Sequence, residues 1–319
     1  MYSIEFLRIF FMVVILFFHK GGHNPFNTRN QMFDEVFSVH AFFMISGFFM
    51  LKVISNPDAS FKSFASKLWF RLVPVVAACV IVNWFMGGKG NLVAALALID
   101  PSGLGIVRSS AQLTGGSWYA SSYFYCALLL FWLVRRFKVE NILPFLGVAV
   151  WFVCFHDYFW PTWGYSTLRA FAWLGLGIIV AYASRFLSFS KEKGWRIFFT
   201  VAELGCLFFL IRTVMFMRGG VVASMTAAPL LAFFIVASNR NAGLVSEYMN
   251  RAGWIAHASK YCYAMYLAQG VLMPKFVDSI HAPGLAKGIV YSMVVGILLY
   301  HLVEAPAVRW FSRLKKQGC

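Results

Sequence analysis

Apolar runs of about twenty residues recur along the whole chain, separated by short segments rich in charge, glycine or proline. A helix crossing a hydrocarbon core needs roughly 20 apolar residues, so each run predicts a transmembrane helix. The runs lie near residues 4–19, 36–53, 64–86, 117–134 and 143–160, then near 167–187, 196–214, 220–238, 254–273 and 285–308. They predict an all-α, polytopic integral membrane bundle of about ten helices, organised as a single domain over residues 1–319. In the glycine-rich stretch from Gly87 to Ser117, the apolar segment Leu92 to Ile99 is too short to span and predicts a re-entrant or interfacial helix.

Composition agrees: 60% of residues are hydrophobic and 13% charged, whereas a soluble domain carries about a quarter charged residues. The net charge of +16 would suggest nucleic acid for a soluble protein, but here it follows the topology. With Met1 inside, clusters such as Arg135-Arg136-Phe-Lys138, Lys191 to Arg196 and Arg309 to Lys316 all fall on the cytoplasmic side. The positive-inside rule therefore places both termini in the cytoplasm, and the basic face suits anionic lipid headgroups rather than nucleic acid. The first run has neither a basic leader nor a small-residue cleavage site and is expected to be retained as a span. Cys79, Cys126, Cys154, Cys206 and Cys262 fall within apolar runs and Cys319 is the last residue, which predicts thiols rather than a disulfide framework. Gly87-Gly88-Lys89-Gly90 lacks the spacing of a phosphate-cradling loop.

A charge at mid-helix costs at least ~2.5 kcal/mol on insertion scales, so each one within a span needs a partner or a polar cavity. The bases are Arg8, Arg169, Arg212 and Lys260, and the acids Glu5, Glu203 and Glu304. Arg8 and His19 are close to three helical turns apart, which puts both on one face, ~16 Å apart along the axis. Two readings stand at this point. Either both line one cavity, with an anionic donor at Arg8 and chemistry at His19, or Arg8 pairs with Glu5 at i,i+3 and His19 is interfacial. Lys67 and Arg71, four apart at the cytoplasmic start of the third run, suit either a phosphate clamp or positive-inside anchoring. Ser46-Gly47 favours close helix packing. Glu304 calls for a basic partner such as Lys260 or Arg169. His301 shares its helical face at i,i+3, yet no second cluster accompanies the pair and no metal site is expected. His23, His156 and His281 fall in outer loops, and Tyr158, Trp160 and Trp163 read as an interfacial aromatic belt.

Several of these segments, spread over the whole chain, resemble the acyltransferase 3 family of membrane-bound acyltransferases. Glu5-Phe-Leu-Arg8 through Phe18-His19, with ten residues between the arginine and the histidine, looks like that family's first helix. Phe42-Phe-Met-Ile-Ser46-Gly47-Phe48 is similar to its second, Arg71-Leu-Val-Pro74 to its third, and Trp118-Tyr119 to the aromatic opening of a later span. Ser259 to Leu267 and Tyr300-His-Leu-Val-Glu304-Ala-Pro306 resemble the last two helices. The chain departs from the family in two places. Its basic pair is Lys67 and Arg71, at spacing four rather than three, and Gln269 stands where a histidine often follows the Tyr-Leu pair.

The resemblance implies transfer of an acyl group, usually acetyl from acetyl-CoA, to a hydroxyl of an envelope saccharide or glycolipid at the bacterial inner membrane. It is to the stand-alone form of the family, with no fused esterase-like domain expected. His19 is then the general base, with Glu304 orienting a basic group or acting as a second acid/base. Arg8, Lys67 and Arg71 offset the donor's phosphates. Ser46, Trp118 and Tyr119 are further donor- or substrate-binding candidates, and no metal is implied. A secondary transporter or glycan flippase is the rival from another class, but neither matched halves nor paired Gly/Pro-broken spans are present.

Overall fold

The computed structural model describes residues 1–21, 35–87, 90–100, 104, 113–114, 116–159, 166–190, 192–216, 221–271 and 284–316. His23, Gly88, Lys89, Trp160, Trp163, His281 and Cys319 lie outside the described residues, as do the side chains of His156 and Tyr158. Among the described residues every regular element is a helix. In chain order these are α1 (Tyr2–Gly21), α2 (Glu35–Ile54), α3 (Phe61–Phe85), α4 (Leu92–Leu96), α5 (Ser117–Phe137), α6 (Val139–Phe159) and α7 (Ser166–Ala183). There follow α8 (Lys193–Phe216), α9 (Val221–Arg240), α10 (Leu244–Met249), α11 (Trp254–Ser259), α12 (Cys262–Ala268) and α13 (Gly284–Leu299). A π-helical turn, Tyr300–Glu304, then leads into α14 (Ala305–Lys316).

Among the described residues six helices are long and apolar enough to cross a membrane: Phe37–Ile54, Phe61–Phe85, Ser117–Phe137, Ser166–Ala183, Lys193–Met215 and Ala286–Leu314. Within the apolar run at 254–273, expected as a span, Trp254–Ser259 and Cys262–Ala268 form the two short helices α11 and α12, with Lys260 and Tyr261 between them. His257 and Ser259-Lys260 interrupt its apolar character. In the apolar segment Leu92 to Ile99, expected as a re-entrant or interfacial helix, Leu92–Leu96 form the five-residue helix α4. Asn91 caps it by accepting the Ala94 amide at 3.1 Å, and the Trp69 indole of α3 donates to the Leu96 carbonyl at 3.1 Å.

Contacts divide the chain into two units. The first comprises Met1–Ser55, Phe137–Pro161 and Ala172–Lys260. In it α1 packs on α2 and α11, and α9 on α8, α2 and α6. Phe11, Phe37, Phe43 and Phe234 are fully buried in its core. α2 and α7 touch backbone to backbone: a Cβ on Gly47 would sit 2.0 Å from the Leu174 carbonyl oxygen, and one on Gly177 2.1 Å from that of Met44. Lipid tails are as apolar as the helices, so such close approach of small residues is a main source of helix association in a bilayer.

Glu203 of α8, buried in this unit, accounts for its own charge. α10 starts at Gly243, whose missing side chain cannot cap it. The amides of Gly243 and Ser246 donate instead to the two Glu203 oxygens, 3.1 Å each, which satisfies donors that a helix start otherwise leaves orphaned. Glu203→Ala should cost about 1–3 kcal/mol, the usual penalty for stripping buried amides of their acceptor. A thermal melt of the purified protein will read this, with Glu203→Gln expected to fall between the two.

The second unit comprises Asn56–Arg136, Thr162–Phe171 and Tyr261–Cys319. Ser60 caps α3 by accepting the Ser63 amide at 3.1 Å. Arg135, counted among the cytoplasmic charges, donates to the carbonyls of Pro57 at 3.0 Å and Ala59 at 2.9 Å and so braces the turn before α3. α12 packs on α3 and α13, and both the π turn and α14 pack on α3, where Phe70 stacks on Phe311 with ring centroids 5.1 Å apart.

Candidate active site

In the first unit α1 is unbroken from Tyr2 to Gly21, so Arg8 and His19 stand on one continuous helix. Its start is pinned by Asn250, whose Oδ1 accepts from the Ser3 amide at 3.0 Å and the Ser3 hydroxyl at 2.9 Å. Arg8 donates from one Nη to both Glu5 oxygens, at 2.9 and 3.1 Å, and lies 5.3 Å from the centre of the Phe49 ring. The i,i+3 pairing is therefore formed. His19 is exposed in the last turn of α1. Ser46 is half-buried on α2, beside the Gly47 contact.

The second unit brings together Arg71 and Glu304. Arg71 Nε lies 3.8 Å from Glu304 Oε1, with the arginine side chain 53% exposed and that of the acid 6% exposed. The partner of Glu304 is thus neither Lys260 nor Arg169. Glu304 Oε2 is buried and has no hydrogen-bond partner among the described residues. The π turn explains why His301 and Glu304 do not share a face: its wider turn shifts the helical phase, leaving Glu304 buried and His301 exposed. His301 Nε2 lies 3.1 Å from the Tyr261 hydroxyl. Lys67, one turn before Arg71, is exposed.

Tyrosines surround the Arg71–Glu304 pair. Tyr119, Tyr123 and Tyr263 are close enough to interact electrostatically with the guanidinium, and the Tyr263 hydroxyl donates to the Leu72 carbonyl at 3.0 Å. Tyr119 stacks on Tyr123 at 6.0 Å and meets Tyr266 edge-on at 5.3 Å. Gly116, at φ +107°, turns the chain into α5 so closely that a Cβ would lie 2.9 Å from the Tyr266 ring. Trp118 is half-buried next to Tyr119.

Sequence reasoning missed Asp100, which fixes this opening of α5. It is fully buried and accepts from the Leu113 amide at 3.1 Å and from the Ser117 hydroxyl, while its own amide donates to Ser121 Oγ at 3.2 Å. A lone acid in an otherwise apolar, glycine-rich segment was the available signal. Tyr263 was missed because a tyrosine in an apolar helix usually belongs to the core or an aromatic belt. Among the described residues no group of three His, Cys, Asp or Glu side chains is arranged to hold a metal ion. Cys79, Cys126, Cys154, Cys206 and Cys262 form no disulfide.

The acyltransferase 3 family model, described as an acyltransferase domain, matches residues 1–301. The chain belongs to the acyltransferase 3 family. The match takes in Arg8, His19, Ser46, Lys67, Arg71, Trp118 and Tyr119, and it ends at His301, three residues short of Glu304. No curated protein and no solved structure matches the chain. The apolar helices and the family together make this acyltransferase 3 protein a multi-pass membrane acyltransferase.

Proposed function

We propose that this acyltransferase moves an acetyl group from cytoplasmic acetyl-CoA to a hydroxyl of a cell-envelope saccharide or glycolipid. The reading places it in the bacterial inner membrane with about ten spans and both termini cytoplasmic. The observation that carries it is the state of Arg71. Its guanidinium is half-exposed, buried Glu304 backs it through Nε, and its fork makes no hydrogen bond among the described residues. A guanidinium held from behind in this way suits two phosphate oxygens, and Lys67 on the preceding turn adds a second charge. Arg8, paired with Glu5 in the first unit, is a donor-phosphate candidate on the family resemblance alone. Glu304 orients Arg71.

In the reaction, His19 takes the proton of the acceptor hydroxyl as its oxygen attacks the thioester carbonyl. The ester C–O bond forms, the C–S bond breaks, and CoA leaves as a thiolate that takes up the proton. Trp118, Tyr119 and Ser46 are the further substrate- or donor-binding residues of this reading.

The test is turnover of acetyl-CoA by purified protein in nanodiscs supplied with a crude envelope glycan fraction. CoA release should match acetylated glycan. Arg71→Ala should raise the donor KM by about 10- to 100-fold, the worth of charge-assisted hydrogen bonds, with kcat little changed. An unchanged donor KM would remove Arg71 from the donor site.

A further inference from the structure

We propose that Tyr263 is a positioning residue for the donor-phosphate fork, its hydroxyl holding the turn of α3 that aims Arg71. The proposal rests on the reading of Arg71 as the donor's phosphate ligand. α3 contains Pro74, which has no amide hydrogen, so the Phe70 carbonyl lacks its helical donor and the turn carrying Arg71 is weakened. Tyr263 reaches into that turn and donates to the carbonyl of Leu72, the residue after Arg71.

The helix that carries the phenol is closely packed. α12 presses its backbone against α13, where a Cβ on Gly296 would lie 2.7 Å from Met265 Cα, two residues from Tyr263. α13 runs directly into the π turn that carries Glu304, and this turn packs on α3. Tyr263 is thus braced on the helix leading to the acid and bonded to the helix bearing the arginine. Its ring is also close enough to interact electrostatically with both Arg71 and Glu304. A π turn thus carries the acid, a turn lacking one helical bond carries the arginine, and the Tyr263 hydroxyl adds a bond to the second.

Tyr263→Phe removes the hydroxyl alone. The expected result in nanodiscs is a donor KM raised about 3- to 10-fold, with kcat, acceptor KM and melting temperature unchanged. In an Arg71→Ala background the same change should add nothing further, because the hydroxyl acts only through the arginine. Tyr263→His, which keeps a ring N–H donor, should fall between wild type and Tyr263→Phe. An unchanged donor KM, a loss confined to kcat, or additivity with Arg71→Ala would overturn the proposal. So would a Tyr263→Phe protein that fails to fold while Tyr263→His folds with wild-type donor KM, since the hydroxyl would then be structural. If Arg71→Ala itself leaves the donor KM unchanged, the donor reading fails. If only Tyr263→Phe does so, the positioning role alone fails.

Discussion

Replacing His19 with alanine is expected to lower acetyl transfer by about 100- to 10,000-fold, the usual worth of a positioned acid–base group. Acyl-CoA binding should stay at the wild-type level, because the proposed reading gives the donor's phosphates to Arg71 and Lys67 rather than to His19. A sugar hydroxyl is a poor nucleophile at neutral pH, and imidazole can accept and release a proton there. His19 stands exposed at the end of α1, well separated along the helix axis from Arg8. That separation suits a division between donor recognition and proton transfer. The check is single-turnover acetyl transfer alongside equilibrium binding of labelled acetyl-CoA. Full turnover with intact binding in His19→Ala would send the proton transfer to another group, and buried Glu304 would be the next residue to change.

Gly47→Leu should abolish most folded protein. Overpacking a well-packed contact costs about 1–3 kcal/mol when side chains can shift. Here the first added atom already meets a backbone carbonyl oxygen at 2.0 Å, so α2 and α7 must separate. Gly177→Leu faces the same backbone contact from the other helix and should fail similarly, the pair of changes together costing less than their sum. Gly147→Leu and Gly205→Leu are the controls, since a Cβ at either position meets nothing within 4 Å. Fluorescence-detected size exclusion and melting of all four proteins will decide. A Gly47→Leu protein as stable as the controls would contradict the α2–α7 crossing.

These two expectations differ in how much of each was legible in the chain. The Arg8–His19 spacing needs only one unbroken helix, and α1 provides it. The Glu5–Arg8 pair follows from the same local geometry, since residues three apart on a helix are neighbours. Gly47 was readable as a packing glycine, yet nothing in the sequence names Leu174 as the residue it meets. Glu203 and Glu304 looked alike as acids within apolar runs. The first is satisfied by two amides of α10 and the second faces an arginine of α3.

A bilayer requires its spans to be long, apolar and internally hydrogen-bonded, so the placement of helices and the burden of their buried charges can be read residue by residue along the chain. Which partner relieves each charge depends on how helices distant in sequence pack, and on local departures from helical phase such as the turn at Tyr300–Glu304. Neither hydropathy nor spacing encodes those features. The pairing of Arg71 with Glu304, the separation of Glu304 from His301, and the grip of Tyr263 on α3 therefore emerged only from the tertiary structure.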